Sequence, residues 1–265
     1  MNELLAAAVL GTVQGLTEFL PVSSTGHLIL TSTLMQMSDA RTQTFEVVIQ
    51  LGSILAVVVL YFPRFWGLLF PKKGSSFSGP RGLFLLFLTC LPASLLGLFA
   101  HKIIKQYLFK PLPVALALAV GALMILAVER FKPTPRRQSI DEMTPVAALG
   151  VGCFQCLSLW PGFSRSASTI MGGMLFGSSR AAAAEYSFIA AVPIMFAATG
   201  FDLYSSASFL TSADIPFFAV GLLFSFVFAM LAIKVFIGLV SRMSLRPFAW
   251  YRLILAPLVF YFFPS

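Results

Sequence analysis

The sequence predicts an all-α polytopic membrane protein made of two inverted repeats, each a re-entrant helical hairpin plus three transmembrane helices. Three observations predict it. The 265 residues are 58% hydrophobic and only 11% charged, where soluble globular domains run at about 45–50% and about 25%. Six apolar runs reach the length of about 17–25 residues that spans a bilayer. Two further apolar stretches are broken midway by residues that do not belong in lipid. With 18 Lys+Arg and 10 Asp+Glu the chain cannot clothe a water-soluble globule, which excludes a soluble enzyme. Cys90, Cys153 and Cys156 are an odd set inside apolar stretches, which excludes a disulfide scaffold.

In chain order, the stretch 4–37 comes first and breaks at Leu20-Pro21-Val22-Ser23-Ser24-Thr25-Gly26-His27. Spans follow near 45–62, 83–100 and 113–129, then the polar linker Lys132 to Thr144. The stretch 146–178 breaks at Trp160-Pro161-Gly162-Phe163-Ser164-Arg165-Ser166, and spans near 185–204, 216–240 and 248–263 complete the chain. Pro and Gly stop a helix, and the freed backbone groups are tolerated at membrane depth only inside protein or facing water. Both breaks therefore read as hairpins that enter and leave on one side.

The two breaks resemble each other. Gly11-x-x-Gln14-x-Leu16-Thr17-x-Phe19 lines up with Gly152-x-x-Gln155-x-Leu157-Ser158-x-Trp160, and a one-residue shift then brings Pro21 and Ser24 onto Pro161 and Ser164. This predicts one membrane domain with repeats at 1–130 and 146–265 joined by a linker at 131–145. Three spans per repeat is an odd number, so the second repeat is inverted. The net charge of +8 sits in short connections and reads as a topology signal facing anionic lipid, not as a nucleic-acid surface. Arg64, Lys72, Lys73, Arg81, Arg130, Lys132, Arg136, Arg137, Arg180, Arg242 and Arg246 outnumber Arg41, Lys102, Lys105 and Lys110 on the other face. The richer face should be cytoplasmic, which puts both termini and the mouth of the first hairpin outside.

Few residues inside the apolar stretches can carry chemistry. Gln14 and Glu18 are one helical turn apart and share a face, and an ionisable residue at membrane depth marks a functional site by default. After Pro21, the hydroxyls Ser23, Ser24 and Thr25 suit the start of a returning helix, whose free N–H groups attract anions. His27 follows Ser24 by three residues, so hydroxyl, imidazole and carboxylate form the minimum set of nucleophile, base and orienting acid. In the second break Ser164, Arg165 and Ser166, with Ser168 and Thr169 beyond, set a guanidinium and hydroxyls at another helix start. Arg165 needs either a bound phosphate or an internal carboxylate from Glu18, Glu46 or Glu185.

The run Gln14 to His27, QGLTEFLPVSSTGH, resembles the first signature of the undecaprenyl-diphosphate phosphatase, or bacitracin-resistance, family, a Glu/Gln-x-x-x-Glu motif with a following serine and histidine. Pro161 to Thr169, PGFSRSAST, is similar to its second, Pro-Gly-x-Ser-Arg-Ser-x-x-Thr. The resemblance extends through Phe45 to Val59 and over nearly the whole chain. It implies an integral membrane enzyme of the bacterial inner membrane that hydrolyses a polyprenyl diphosphate lipid to its monophosphate at a site open to the periplasm. It further implies Glu18, Ser24, His27 and Arg165 as catalytic residues, with Gln14, Ser23, Thr25, Ser164, Ser166 and Thr169 around the substrate. A divalent cation, magnesium, is expected, with Glu18 as a ligand; Gln14 stands where the family often has glutamate and supplies no charge. Surrounding lipids are the other expected partners, and a homodimer is left open. On the residues alone, the competing reading is a lipid-phosphate or anion transporter on the same inverted frame.

Overall fold

The computed structural model describes residues 2–37, 39–206 and 211–263, and among them the only strand-type pairing is a single bridge between Arg137 and Ser178. Helix α1 covers Glu3–Thr17 and α2 covers Ser24–Leu34. Helices α3 (Ala40–Val48) and α4 (Gln50–Leu60) run on as one membrane-length rod, followed by the short α5, Phe62–Leu69. Next come α6 (Gly79–Ile103) and α7 (Pro111–Phe131). The second half holds α8 (Pro145–Gln155), α9 (Arg165–Leu175), α10 (Arg180–Ser206), α11 (Ile215–Val240) and α12 (Arg246–Phe262).

Five helices among the described residues are long and apolar enough to cross a membrane, namely Ala40–Leu60, Gly79–Ala100, Pro111–Phe131, Arg180–Phe201 and Ser212–Val240. The sixth predicted span is α12, whose 17 residues reach about 25 Å, short of a hydrocarbon core of about 30 Å. The arms of the broken stretches are shorter still, at 15 and 11 residues for α1 and α2 and 11 each for α8 and α9.

Some boundaries differ from expectation. The first span begins at Ala40, ahead of its apolar run, because the Asp39 carboxylate accepts from Thr42 N at 2.8 Å and caps the helix. The connection that follows the expected span 83–100 is helical to Ile103 and continues as a π-turn through Leu108. Helix α5 was not anticipated; proline near its start favours the first turn, and it exposes a row of rings, Phe62, Trp66 and Phe70, with successive centroids 5.9 and 4.6 Å apart.

Packing recurs between the halves. Helix α1 lies along α11 so closely that a Cβ on Gly11 would come within 2.4 Å of the Gly221 carbonyl oxygen. Helix α8 lies along α6 in the same manner, and a Cβ on Gly152 would meet the Thr89 carbonyl oxygen at 2.7 Å. A buried hydroxyl pair, Ser53 and Ser225 at 2.8 Å, ties α4 to α11, while Thr89 and Tyr186 at 2.7 Å tie α6 to α10. Helices α7 and α12 pack on each other. Phe19, Phe163, Phe188 and Phe236 sit in the central core cluster.

The backbone also recurs. Ser23 and Ser164 both have positive φ, 72° and 78°, and so do Gln36 and Gly177, at 58° and 86°; each pair is 141 positions apart. That offset is already the offset of Gly11 to Gly152, so the one-residue shift in the sequence alignment is unnecessary. Ser24 is thereby matched with Arg165, not with Ser164. Charge separates to the helix ends as well: Arg41 pairs with Glu3 (3.3 Å) and Asp214 (2.6 Å) where α1, α3 and α11 begin. Where α7 ends and α12 begins, Glu129 takes Lys132 (2.5 Å), Arg180 (2.6 Å) and the Leu245 N–H (2.7 Å).

Candidate functional site

The site grows from two helix starts. Ser23 caps α2 by accepting from Gly26 N at 3.3 Å, and Ser164 caps α9 by accepting from Ala167 N at 3.2 Å. For a non-glycine residue, positive φ is uncommon and costs about 1–2 kcal/mol, so these two serines hold strained turns at equivalent places. Their side chains are occupied as caps, which makes them builders of the turn. The second turn is docked on the first: Ser166 Oγ donates to the Leu20 carbonyl at 2.8 Å. Thr169 Oγ1 donates back to the Arg165 carbonyl at 2.8 Å and lies 2.5 Å from Ser187 Oγ on α10.

Glu18, at the end of α1, is the meeting point. Its side chain is 6% exposed. Oε1 accepts from Arg165 Nη2 at 3.1 Å; Oε2 accepts from Ser24 Oγ at 2.8 Å and from Gln14 Nε2 at 2.9 Å. Arg165 also donates from Nη1 to the Ser187 carbonyl at 3.3 Å and lies over the Phe19 ring at 5.7 Å. Its Nε is buried without a partner. Of the two partners left open for Arg165, the internal carboxylate is present and is Glu18; Glu185 instead meets Arg64 at 3.5 Å.

His27 is not in that cluster, which corrects the expected hydroxyl–imidazole–carboxylate line. Nδ1 lies 2.7 Å from the Ser23 carbonyl oxygen, one turn back on its own helix, and Nε2 lies 2.6 Å from the Tyr251 hydroxyl on α12. The acceptor beside Ser24 is therefore Glu18, because the end of α1 brings a carboxylate to the first residue of α2 while the imidazole turns away. Thr25, half-buried in the first turn of α2, takes no part in the Glu18 cluster.

Two residues on α12 escaped the sequence reading. Arg252 is 0% exposed, and its guanidinium donates to four carbonyls: Pro21 (3.4 Å) and Gly162 (3.2 Å) in the two breaks, and Ala117 and Leu118 (both 3.2 Å) on α7. It clamps both turns together. The signal was available, since Arg252 is an ionisable residue inside an apolar run, the criterion that singled out Glu18. Tyr251 gave no signal, for a tyrosine at a helix surface is ordinary. From Tyr251 and His27 an open apolar groove of about 600 Å³ runs between α1, α11 and α12, walled by Leu16, Leu20, Leu231, Val235 and Phe248.

For a divalent cation, the local donors are one carboxylate, Glu18, and the buried, unpartnered Oε1 of Gln14. No group of three His, Cys, Asp or Glu suited to a metal occurs among the described residues. One carboxylate and one amide oxygen make no protein-only cage. They fit magnesium held jointly with phosphate oxygens of a substrate, its usual mode.

Fold and cluster together define a multi-pass membrane protein with a buried carboxylate, hydroxyl and guanidinium at two facing helix starts. The model of the family described as bacitracin resistance protein BacA matches residues 7–258, and the chain belongs to that family. It is 65% identical over 262 residues to the undecaprenyl-diphosphatase of Maridesulfovibrio salexigens and 64% to that of Nitratidesulfovibrio vulgaris, covering 99% of each chain in both comparisons. The undecaprenyl-diphosphatase of Lawsonia intracellularis is 52% identical over 98% of each chain.

Proposed function

We propose that this protein is an undecaprenyl-diphosphatase, hydrolysing the lipid diphosphate to lipid monophosphate and inorganic phosphate, which returns the carrier to cell-wall synthesis and underlies bacitracin resistance. The observation that carries the site assignment is Ser24 Oγ donating to Glu18 Oε2 at 2.8 Å beside the Arg165 guanidinium. A nucleophile, its base and an anion binder stand within one cluster. The polyprenyl tail lies in the apolar groove, and the diphosphate reaches the cluster past His27.

Arg165 holds the terminal phosphate, using the unpartnered Nε and a face drawn partly from Glu18, together with the N–H groups at the starts of α2 and α9. Ser24 Oγ bonds to the terminal phosphorus as its bond to the bridging oxygen breaks; the Ser24 proton passes to Glu18, and lipid monophosphate leaves. Water then attacks the phosphoseryl phosphorus, its proton taken by His27 Nε2 once the Tyr251 hydroxyl has moved off; the Ser24 oxygen–phosphorus bond breaks, Glu18 returns its proton to Ser24 Oγ, and phosphate is released. Magnesium, held by Glu18, Gln14 Oε1 and the diphosphate, would neutralise phosphate charge. A second assignment makes His27 Nε2 itself the nucleophile once the Tyr251 hydroxyl, 2.6 Å away, moves off its lone pair. Acid quench separates the two, since phosphoserine survives acid and phosphohistidine does not. The function is tested in detergent, where an enzyme releases phosphate from the lipid diphosphate and a carrier, having no compartments to connect, releases none.

The finer architecture belongs to the same proposal. Two inverted repeats, 1–130 and 146–265, with α1–α2 and α8–α9 as re-entrant pairs, account for the recurring positive-φ residues and for the matched packing of α1 on α11 and α8 on α6. The cluster of Arg64, Arg81, Lys132 and Arg180 at one set of helix ends supports a cytoplasmic assignment for that face. The termini and the mouth of the first hairpin are then periplasmic, in the inner membrane.

A further inference from the structure

The hydrogen bonds of His27 can be read as an instruction about which nitrogen works. A carbonyl oxygen only accepts, so the contact from Nδ1 to the Ser23 carbonyl at 2.7 Å puts the proton of the neutral ring on Nδ1. Nε2 then carries the lone pair, and the Tyr251 hydroxyl, 2.6 Å away, is its donor. The two rings stack at 5.5 Å between centroids, with 9° between their planes. Both side chains line the apolar groove, together with Thr17, the residue that precedes Glu18. Tyr251 is 45% exposed, and its neighbour Arg252 pins this turn of α12 to both helix breaks.

We propose that Tyr251 is a positioning residue for His27: its ring and hydroxyl hold the imidazole with Nε2 turned to the groove, and the hydroxyl caps that nitrogen until a diphosphate lipid enters. The basic nitrogen is thus covered while the groove is empty and uncovered where the lipid headgroup must pass. This rests on the diphosphatase reading for its consequence in turnover, but the capping itself does not.

The test uses full-length protein in detergent and two readouts. In a His101→Ala background, which leaves His27 as the only histidine, diethyl pyrocarbonate acylates the free imidazole nitrogen. Tyr251→Phe keeps the stack and removes the hydroxyl, and should raise the acylation rate of His27 about fivefold, the scale of one lost neutral hydrogen bond. With a polyprenyl diphosphate substrate, the same variant should lose about tenfold in kcat with KM within twofold, because orientation and not binding is impaired. Trp250→Phe, at the exposed neighbouring position, should leave both readouts unchanged. Equal acylation rates in Tyr251→Phe and its parent overturn the proposal, as does a rise in KM at constant kcat, which would make Tyr251 a groove wall only. Should the parent release no phosphate, the diphosphatase reading fails while the acylation ratio still decides whether Tyr251 caps His27. Tyr251→Leu, lacking ring and hydroxyl, guards against a folding artefact in the phenylalanine variant; acylation no faster than in the parent again overturns the proposal.

Discussion

Glu18 divides its two oxygens between Arg165 on one side and Ser24 with Gln14 on the other, so each of these side chains is held by the same carboxylate. Ser24→Ala should lower kcat by at least about 100-fold, the scale of losing a positioned reacting group; near-normal turnover would remove Ser24 from the mechanism. Arg165→Lys keeps the charge but loses the planar fork, and should raise KM for the diphosphate while also reducing kcat. Arg252 has a different kind of role. Arg252→Met strands the Pro21 and Gly162 carbonyls at about 1–3 kcal/mol each, so a clear fall in the thermal midpoint is expected, and Arg252→Lys should not restore it because one ammonium cannot serve four carbonyls. At this scale the sequence was legible where a polar residue stood out against lipid. Glu18, Ser24 and Arg165 were found that way, and Arg252 could have been. The partner of His27 was not legible, because a contact across 224 positions leaves no local pattern.

At the scale of elements, helix starts and close helix contacts do the positioning. Gly11→Leu should push α1 off α11, since even a Cβ there lies 2.4 Å from a backbone oxygen. Overpacking of this kind costs about 1–3 kcal/mol, and turnover should fall with it because Glu18 rides on the end of α1. Gly74→Leu, where a Cβ meets nothing within 4 Å, tests whether bulk alone is responsible; its positive φ makes it slightly destabilising but it should leave turnover intact. The linker has its own clasp. Asp141 accepts from Arg64 (2.7 Å), Ser75 (2.6 Å) and the Phe77 N–H (2.8 Å). Burial pushes its carboxyl up, but these three donors outweigh it and lower it from 3.8 to about 2. The folded state therefore gains stability above about pH 4 that fades as the pH falls towards about 2, and Asp141→Asn should flatten that part of a stability profile. Hydropathy made the membrane spans visible. It missed α5 and the helical 100–108 segment because amphipathic and charged stretches give no apolar run.

For the whole molecule, sidedness is the decisive prediction. In a cysteine-free background, Ser212→Cys should react with an impermeant thiol reagent on intact cells, and Ser76→Cys only after permeabilisation; the reverse pattern would overturn the orientation. The scarcity of charge, 18 basic and 10 acidic residues in 265, determined by itself that the chain lives in a bilayer. The two motifs determined the family and the carboxylate, hydroxyl and guanidinium that meet at its centre. The tertiary structure decided which of them touch. It joined Ser24 to Glu18 and turned His27 towards Tyr251. It also held both breaks on Arg252. The physical reason is that composition and motif are properties of the chain read along its length, whereas a hydrogen bond depends on where two helix ends stop in space.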